Sequence, residues 1–273
     1  MLGGRLLVAS DFDGTLSRLA LDPWNAGIIP AAQRALRRLA VAPGVHVALI
    51  SGRTARDLAA RTGVGGISYL GDHGAERAAA ARGFRPAALR VEREPAAPDA
   101  AAMAERLKVE VPRLVPEPWL VLEDKGPALT FHFRGAPDVV AARAQVRAAV
   151  DAIDSSGLLD QPGGVRAWEV RPPGATTKGV ALRRLIGEHQ PDAVLMFGDD
   201  RNDALAFDAL RAAREDDGIV GLAISVVSRA DVSGEVAAHA DLVFAAPDDT
   251  ARFLGLLARA VAGRAREDEK LTG

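Results

Sequence analysis

Apolar residues come in short unbroken runs, several of them followed by a segment whose apolar positions lie three and four apart. Residues 5–10 (RLLVAS) precede 30–40 (PAAQRALRRLA), and 45–51 (VHVALIS) precede 54–62 (TARDLAART). After 67–71 (ISYLG), the same rhythm returns with 193–200 (AVLMFGDD) before 202–215, then 218–225 (GIVGLAIS), then 240–245 (ADLVFA) before 248–263. An apolar run without alternation marks a strand covered on both faces, and the three-and-four spacing marks an amphipathic helix. Their succession predicts a doubly wound α/β core, a parallel sheet with helices on both sides.

Between residues 97 and 173 the rhythm changes. A candidate helix at 101–111 is followed by 119–124 (WLVLED) and 128–134 (ALTFHFR), which a Lys-Gly-Pro turn joins into an antiparallel hairpin. A helix from about 137 to 153 and a strand at 165–172, ending in Pro-Pro-Gly, complete an α+β block. We therefore expect an inserted domain at 97–173 that divides the core into 1–96 and 174–265. The stretch 75–83 (AERAAAARG) reads as compositional bias, and 266–273 (REDEKLTG) as a disordered tail.

Composition narrows the function classes. Of 273 residues, 48% are hydrophobic and 26% charged, which is a globular balance; aromatics reach only 4%, so Ala, Val and Leu carry the packing. The 34 basic residues are dispersed among 36 acidic ones, which argues against nucleic acid as a partner. With no cysteine, disulfides, thiolate metal sites and thiol nucleophiles are excluded together, which fits a reducing compartment. The apolar run after Arg5 meets Asp11 too soon for a signal-peptide core, and no stretch approaches bilayer length, so we expect a cytoplasmic protein with no membrane partner.

In a doubly wound sheet, ligands sit beyond the carboxyl ends of the strands. The residues just past each apolar run are therefore informative: Asp11, Asp13, Gly14 and Thr15; Ser51, Gly52 and Arg53; Asp72 and His73; Asp199, Asp200 and Asp203; with Lys178 opening a helix after the insertion. Singly, each is an ordinary cap or turn former. Together, carboxylates gathered at one edge repel unless a cation neutralises them, and an oxygen-only donor set favours Mg²⁺. Such a set suits phosphoryl transfer to a carboxylate, with Asp11 attacking phosphorus, Asp13 moving protons, and Lys178 and Ser51 holding phosphate oxygens.

The order DFDGT, SGR, a lysine, and GDD-x-x-D resembles the four motifs of the haloacid dehalogenase superfamily of phosphatases across nearly the whole chain. The resemblance implies Asp11 as nucleophile and Asp13 as acid/base. It implies Ser51, Gly52 and Lys178 as phosphate ligands, and a magnesium site of Asp11, the Asp13 carbonyl, Asp199 and Asp203, with Asp200 either a further ligand or a helix cap. LEDKGPALTFHFR, WEVRPPGATTKG, DFDGTLSRLALDP and GDHG further resemble the trehalose-6-phosphate phosphatases of that superfamily. In that family the matching positions contact the sugar, here Glu123, Lys125, Arg134 and Glu169, with Arg53 and His73 on the core side. The substrate implied is a small sugar phosphate, trehalose-6-phosphate first, then sucrose phosphate or a glycosyl phosphoglycerate. A phosphomannomutase-type isomerase and a non-catalytic sugar-phosphate binder stay open.

On the residues alone, Glu123, Lys125 and Arg134 read as cross-strand ion pairs on a solvated face, ahead of sugar contacts. His132 reads as a half-exposed strand residue, and His46, His189 and His239 as structural or solvated. Trp24, Trp119 and Trp168 read as packing or as sugar-stacking surfaces. GDDRNDA departs from the family's Gly-Asp-Asp-x-Thr-Asp-Glu at Asn202 and Ala204, which leaves the metal side intact and weighs on the choice of sugar.

Overall fold

The computed structural model describes residues 4–19, 25–164, 166–227 and 233–272. In chain order, β1 (Leu6–Ser10), α1 (Pro30–Leu39), β2 (Val45–Ile50), α2 (Ala55–Thr62) and β3 (Ile67–Gly71) are followed by β4 (Glu76–Ala80) and β5 (Glu92–Arg93). Then come α3 (Pro98–Leu114), β6 (Val121–Asp124), β7 (Leu129–His132), α4 (Val139–Ile153) and β8 (Ala167–Val170). The chain closes with α5 (Lys178–His189), β9 (Ala193–Gly198), α6 (Arg201–Asp216), β10 (Val220–Val226), α7 (Ser233–Ala237), β11 (Leu242–Phe244) and α8 (Pro247–Thr272). Among the described residues, no helix is long and apolar enough to cross a membrane.

Two compact units result, Met1–Arg93 with Thr176–Gly273, and Glu94–Ala175, a few residues wider at each end than the insertion expected from the sequence. The first holds an eight-stranded sheet ordered β11-β10-β9-β1-β2-β3-β4-β5, parallel from β11 to β3 and antiparallel at β4 and β5. Strand β1 lies centrally, with Ala9 opposite both Ala48 and Met196. Its unbroken apolar run is explained by two cores. Leu7 and Ala9 pack with Leu182 and Leu185 of α5 and Phe207 and Leu210 of α6, whereas Val8 packs with Leu36 and Leu39 of α1 and Leu254 of α8.

Two expectations need correction. Glu76–Ala80, within the stretch read as compositional, is a strand antiparallel to β3 with Tyr69 opposite Ala78. Its alternation is masked because alanine occupies both faces: Ala78 and Ala80 are buried, Ala79 is exposed. The expected tail continues α8 to Thr272, since Arg-Glu-Asp-Glu-Lys offers helix formers and no glycine or proline to stop the helix.

His46, on β2, stacks on His189 with ring centroids 3.5 Å apart, and its Nε2 lies 3.1 Å from Ser68 Oγ. Burial, reinforced by the neighbouring His189 and opposed by Glu188, holds the His46 imidazole down to about 4 from 6.5. The unfolded chain therefore binds this proton first, so the stabilisation is complete above about pH 6.5 and is lost as pH falls toward 4. The urea midpoint is expected to drop over that interval, and less so in His46→Gln; equal slopes for the two proteins would contradict the assignment.

In the second unit, β6-β7-β8 form an antiparallel sheet with α3 and α4 covering one face. Leu129, Phe131, Trp168 and Val170 pack there against Leu107, Val111, Val146 and Val150. Trp168 is buried, and Trp119 packs against the same cluster, so both serve packing; Trp24 lies outside the described residues. On the other face Glu123, Thr130 and Glu169 stand opposite one another in a row across the three strands.

Candidate active site

β1 delivers Asp11 directly at its carboxyl end, where the Asp11 N–H donates to the Phe197 carbonyl of β9 (2.9 Å). Asp11 and Asp199 thus leave adjacent parallel strands in the same direction. The N–H groups of Leu16 and Ser17 both donate to the Phe12 carbonyl (2.9 Å each), folding DFDGT into a tight loop. At the first turn of α5, Lys178 is 1% exposed, and its Nζ donates to Asp11 Oδ1 (2.7 Å) and Asp203 Oδ1 (2.8 Å).

Asp203 is wholly buried and its second oxygen accepts from the backbone N–H groups of Asp199 (3.0 Å) and Asp200 (3.1 Å). A Cβ at residue 198 would fall 2.2 Å from the Asp203 carboxyl carbon, so only glycine allows this approach. Asp200 caps α6, accepting from the N–H groups of Asn202 (2.8 Å) and Asp203 (3.1 Å) in a reciprocal capping box. Of the two readings of Asp200, the helix cap is the one the geometry displays. Asn202 and Ala204 take no part in that box through their side chains, which is why the departure from the family motif leaves the turn intact.

Asp11, Asp199 and Asp203, all buried, each present a carboxylate oxygen within 4.8 Å of the others. Burial pushes the Asp11 carboxyl up to about 8; Lys178 pulls it down, while Asp199, Asp200 and Asp13 push it further up. One lysine thus faces more negative charge than it balances. These oxygen donors, without nitrogen or sulfur, fit a hard divalent cation such as Mg²⁺.

Asp13 points elsewhere. Its carboxylate accepts from Arg53 Nε (2.6 Å) and Nη2 (2.8 Å), and Arg53 Nη1 donates to Asp57 (2.9 Å) while the guanidinium lies 5.7 Å from the Phe12 ring centre. Asp57 was not singled out in the sequence, although its place four residues after Arg53 on a helix start is a visible signal. Ser51 is buried, and its Oγ accepts from the Arg53 N–H (3.2 Å).

The turn after β3 is pinned to that loop. Asp72 N–H donates to the Arg53 carbonyl (2.8 Å) and His73 N–H to the Ser51 carbonyl (2.9 Å). A Cβ at residue 52 would stand 3.0 Å from the His73 ring, so Gly52 lets the imidazole lie against the loop. Asp72 and His73 both have positive φ, 48° and 56°, which strains non-glycine residues. Arg93 holds the strained turn from outside, pairing with Asp72 (3.0 Å) and with Glu76, whose other oxygen accepts from the Ala55 N–H at the start of α2. Arg93→Met leaves two buried carboxylates without this cation and is expected to cost roughly 2–3 kcal/mol, read as a lower urea midpoint. An unchanged midpoint would show the pairing to be dispensable.

In the second unit, Glu123 and Glu169 flank Thr130 in register. Lys125 is 5% exposed, with Nζ 3.9 Å from Glu123 Oε2, so it does not lie on a solvated face. His132 Nε2 is 2.9 Å from the same oxygen, a partner for Glu123 that sequence reasoning missed. Arg134 is half-buried just beyond β7. His239 pairs with Asp208 on the surface, a structural role.

The sheet order and the strand-end carboxylates define a haloacid dehalogenase-like fold. It is shared with a haloacid dehalogenase-like hydrolase from Bacteroides thetaiotaomicron (TM-score 0.62, 16% identity, covering 94% of this chain and 98% of that one). The C-terminal domain of C. albicans trehalose-6-phosphate phosphatase has the same fold (TM-score 0.73, 23% identity, 93% and 92% covered). The family model described as trehalose-phosphatase matches residues 9–243, and the chain belongs to that family. The trehalose-phosphate phosphatase of Mycobacterium marinum is 33% identical over 261 residues, and that of Mycobacterium ulcerans 32% over 263. This chain covers 62% of the length of each.

Proposed function

We propose that the protein hydrolyses trehalose-6-phosphate to trehalose and phosphate through an aspartyl-phosphate on Asp11. The observation carrying this reading is the buried Lys178 bridging Asp11 and Asp203 beside Asp199, an arrangement that holds a nucleophilic carboxylate rigidly and in excess negative charge. Asp11 attacks phosphorus as the ester bond breaks, and Asp13 gives its proton to the leaving sugar oxygen. Asp13 then takes a proton from the water that cleaves the acyl phosphate. Lys178 and Ser51 hold the phosphate oxygens as charge redistributes.

Arg53 holds Asp13 through both carboxylate oxygens. For Asp13 to donate a proton, part of this grip transfers to substrate, in keeping with Arg53 as a sugar-phosphate ligand. Asp11, the Asp13 carbonyl, Asp199 and Asp203 would hold a Mg²⁺, which would supply Lewis-acid charge to offset the repulsion between carboxylate and phosphate. Glu123, Lys125, Arg134 and Glu169 take the sugar hydroxyls, carboxylates accepting and cations donating, and the inserted unit acts as a cap.

The test is phosphate release from trehalose-6-phosphate, sucrose-6-phosphate and glucose-6-phosphate, each with and without Mg²⁺. A clear kcat/KM advantage for trehalose-6-phosphate that depends on Mg²⁺ is expected. Comparable values for unrelated monosaccharide phosphates would remove the disaccharide assignment.

A further inference from the structure

One face of the β6-β7-β8 sheet supplies the packing of the inserted unit, through Leu129, Phe131, Trp168 and Val170. The opposite face contributes little to that core, yet it carries two carboxylates, Glu123 and Glu169, in one cross-strand row. The two carboxylates are separated by the middle strand of the sheet. Between them sits Thr130, 6% exposed, whose Oγ1 has no hydrogen-bond partner. The other unpartnered hydroxyls among the described residues, Thr15, Ser17, Thr62, Ser225 and Thr250, all lie in the first unit. A buried hydroxyl left unpaired is costly, so a row that keeps one between two carboxylates is built to receive donors and acceptors from a ligand.

Within this row Glu123 is oriented from one side. Its directly opposed neighbour is Thr130, and His132 faces Val121, so the imidazole reaches diagonally to place Nε2 2.9 Å from Glu123 Oε2. Lys125 Nζ stands 3.9 Å from the same oxygen. The imidazole and the ammonium therefore both face Oε2, the imidazole at hydrogen-bond distance and the ammonium as an ion-pair neighbour. Two residues before Arg134 and on the same face, His132 is at the right period to act with the sugar-contacting set.

We infer that His132 is a positioning residue for sugar recognition, holding the Glu123 carboxylate so that it accepts hydrogen bonds from the sugar hydroxyls. The inference rests on Glu123 being a sugar ligand, as proposed above. His132 acts through Glu123, so its loss is expected to weaken substrate binding without slowing the chemistry.

The experiment measures kcat and KM for trehalose-6-phosphate, and turnover of p-nitrophenyl phosphate, for the parent chain and for His132→Leu, His132→Asn, Glu123→Gln and the His132→Leu/Glu123→Gln pair. For His132→Leu we expect KM to rise about tenfold, kcat to stay within about twofold, and p-nitrophenyl phosphate turnover to be unchanged. His132→Asn, which retains a donor, is expected to recover most of the loss. The double substitution should bind no more weakly than Glu123→Gln alone, because His132 acts through that carboxylate. If Glu123→Gln raises KM and His132→Leu does not, or if the two losses add, the positioning role is overturned and the sugar-site reading stands. If Glu123→Gln leaves KM unchanged, the sugar-site reading fails and the positioning role falls with it. A loss in His132→Leu that extends equally to p-nitrophenyl phosphate, with a lowered melting temperature, would make the residue structural and also overturn the inference.

Discussion

Asp11→Asn is expected to lower phosphate release by roughly ten-thousandfold or more while leaving the melting temperature nearly unchanged. The amide keeps the shape of the side chain but offers no nucleophilic oxygen anion. Stability is spared because Lys178 retains Asp203 at 2.8 Å, and a neutral amide suits a site where burial and neighbouring acids already push the Asp11 carboxyl up to about 8. Substrate should still bind, so the loss should fall on kcat. Turnover above about one hundredth of the parent's would remove Asp11 as nucleophile, whatever other residues contribute.

Lys178→Met is expected to be damaging in two separable ways. Without the ammonium, the phosphate loses a cation that is in place before the reaction, for an expected fall of about a thousandfold in kcat. The folded chain also loses the charge bridging Asp11 and Asp203, at a cost of about 3–5 kcal/mol typical of a broken buried pair. That second loss should shrink when Mg²⁺ is added and widen in a chelator, because a cation at the acidic group replaces part of the missing charge. Urea unfolding in Mg²⁺ and in chelator separates the two effects. Equal stability of parent and variant in chelator would mean that the carboxylates do not require Lys178 for folding.

How far the sequence foretold this arrangement depends on the range of the interactions involved. The ends of β1 and β9 were legible because a strand covered on both faces leaves an unbroken apolar run, and the residue ending that run must be the one at the sheet edge. The capping role of Asp200 was open beforehand and is carried by the N–H groups of Asn202 and Asp203, a few residues away. β4 was missed because alanine on both faces erases the alternation that marks a strand. Arg93 was missed for a different reason: its partners Asp72 and Glu76 are brought near only by the pairing of β3, β4 and β5, which no local pattern records. The grip of Arg53 on Asp13 spans 40 positions and depends on two loops meeting. His132 carried the right period, but its alternation with Phe131 and Phe133 is that of an ordinary strand, and only the diagonal reach to Glu123 sets it apart.

Asp203 fastens the Asp199 and Asp200 N–H groups with the carboxylate that also belongs to the acidic group. Any cation that draws this carboxylate toward itself loosens two backbone protons at the mouth of α6. Deuterium uptake at those two amides is therefore expected to rise when Mg²⁺ is added alone, before any substrate is present.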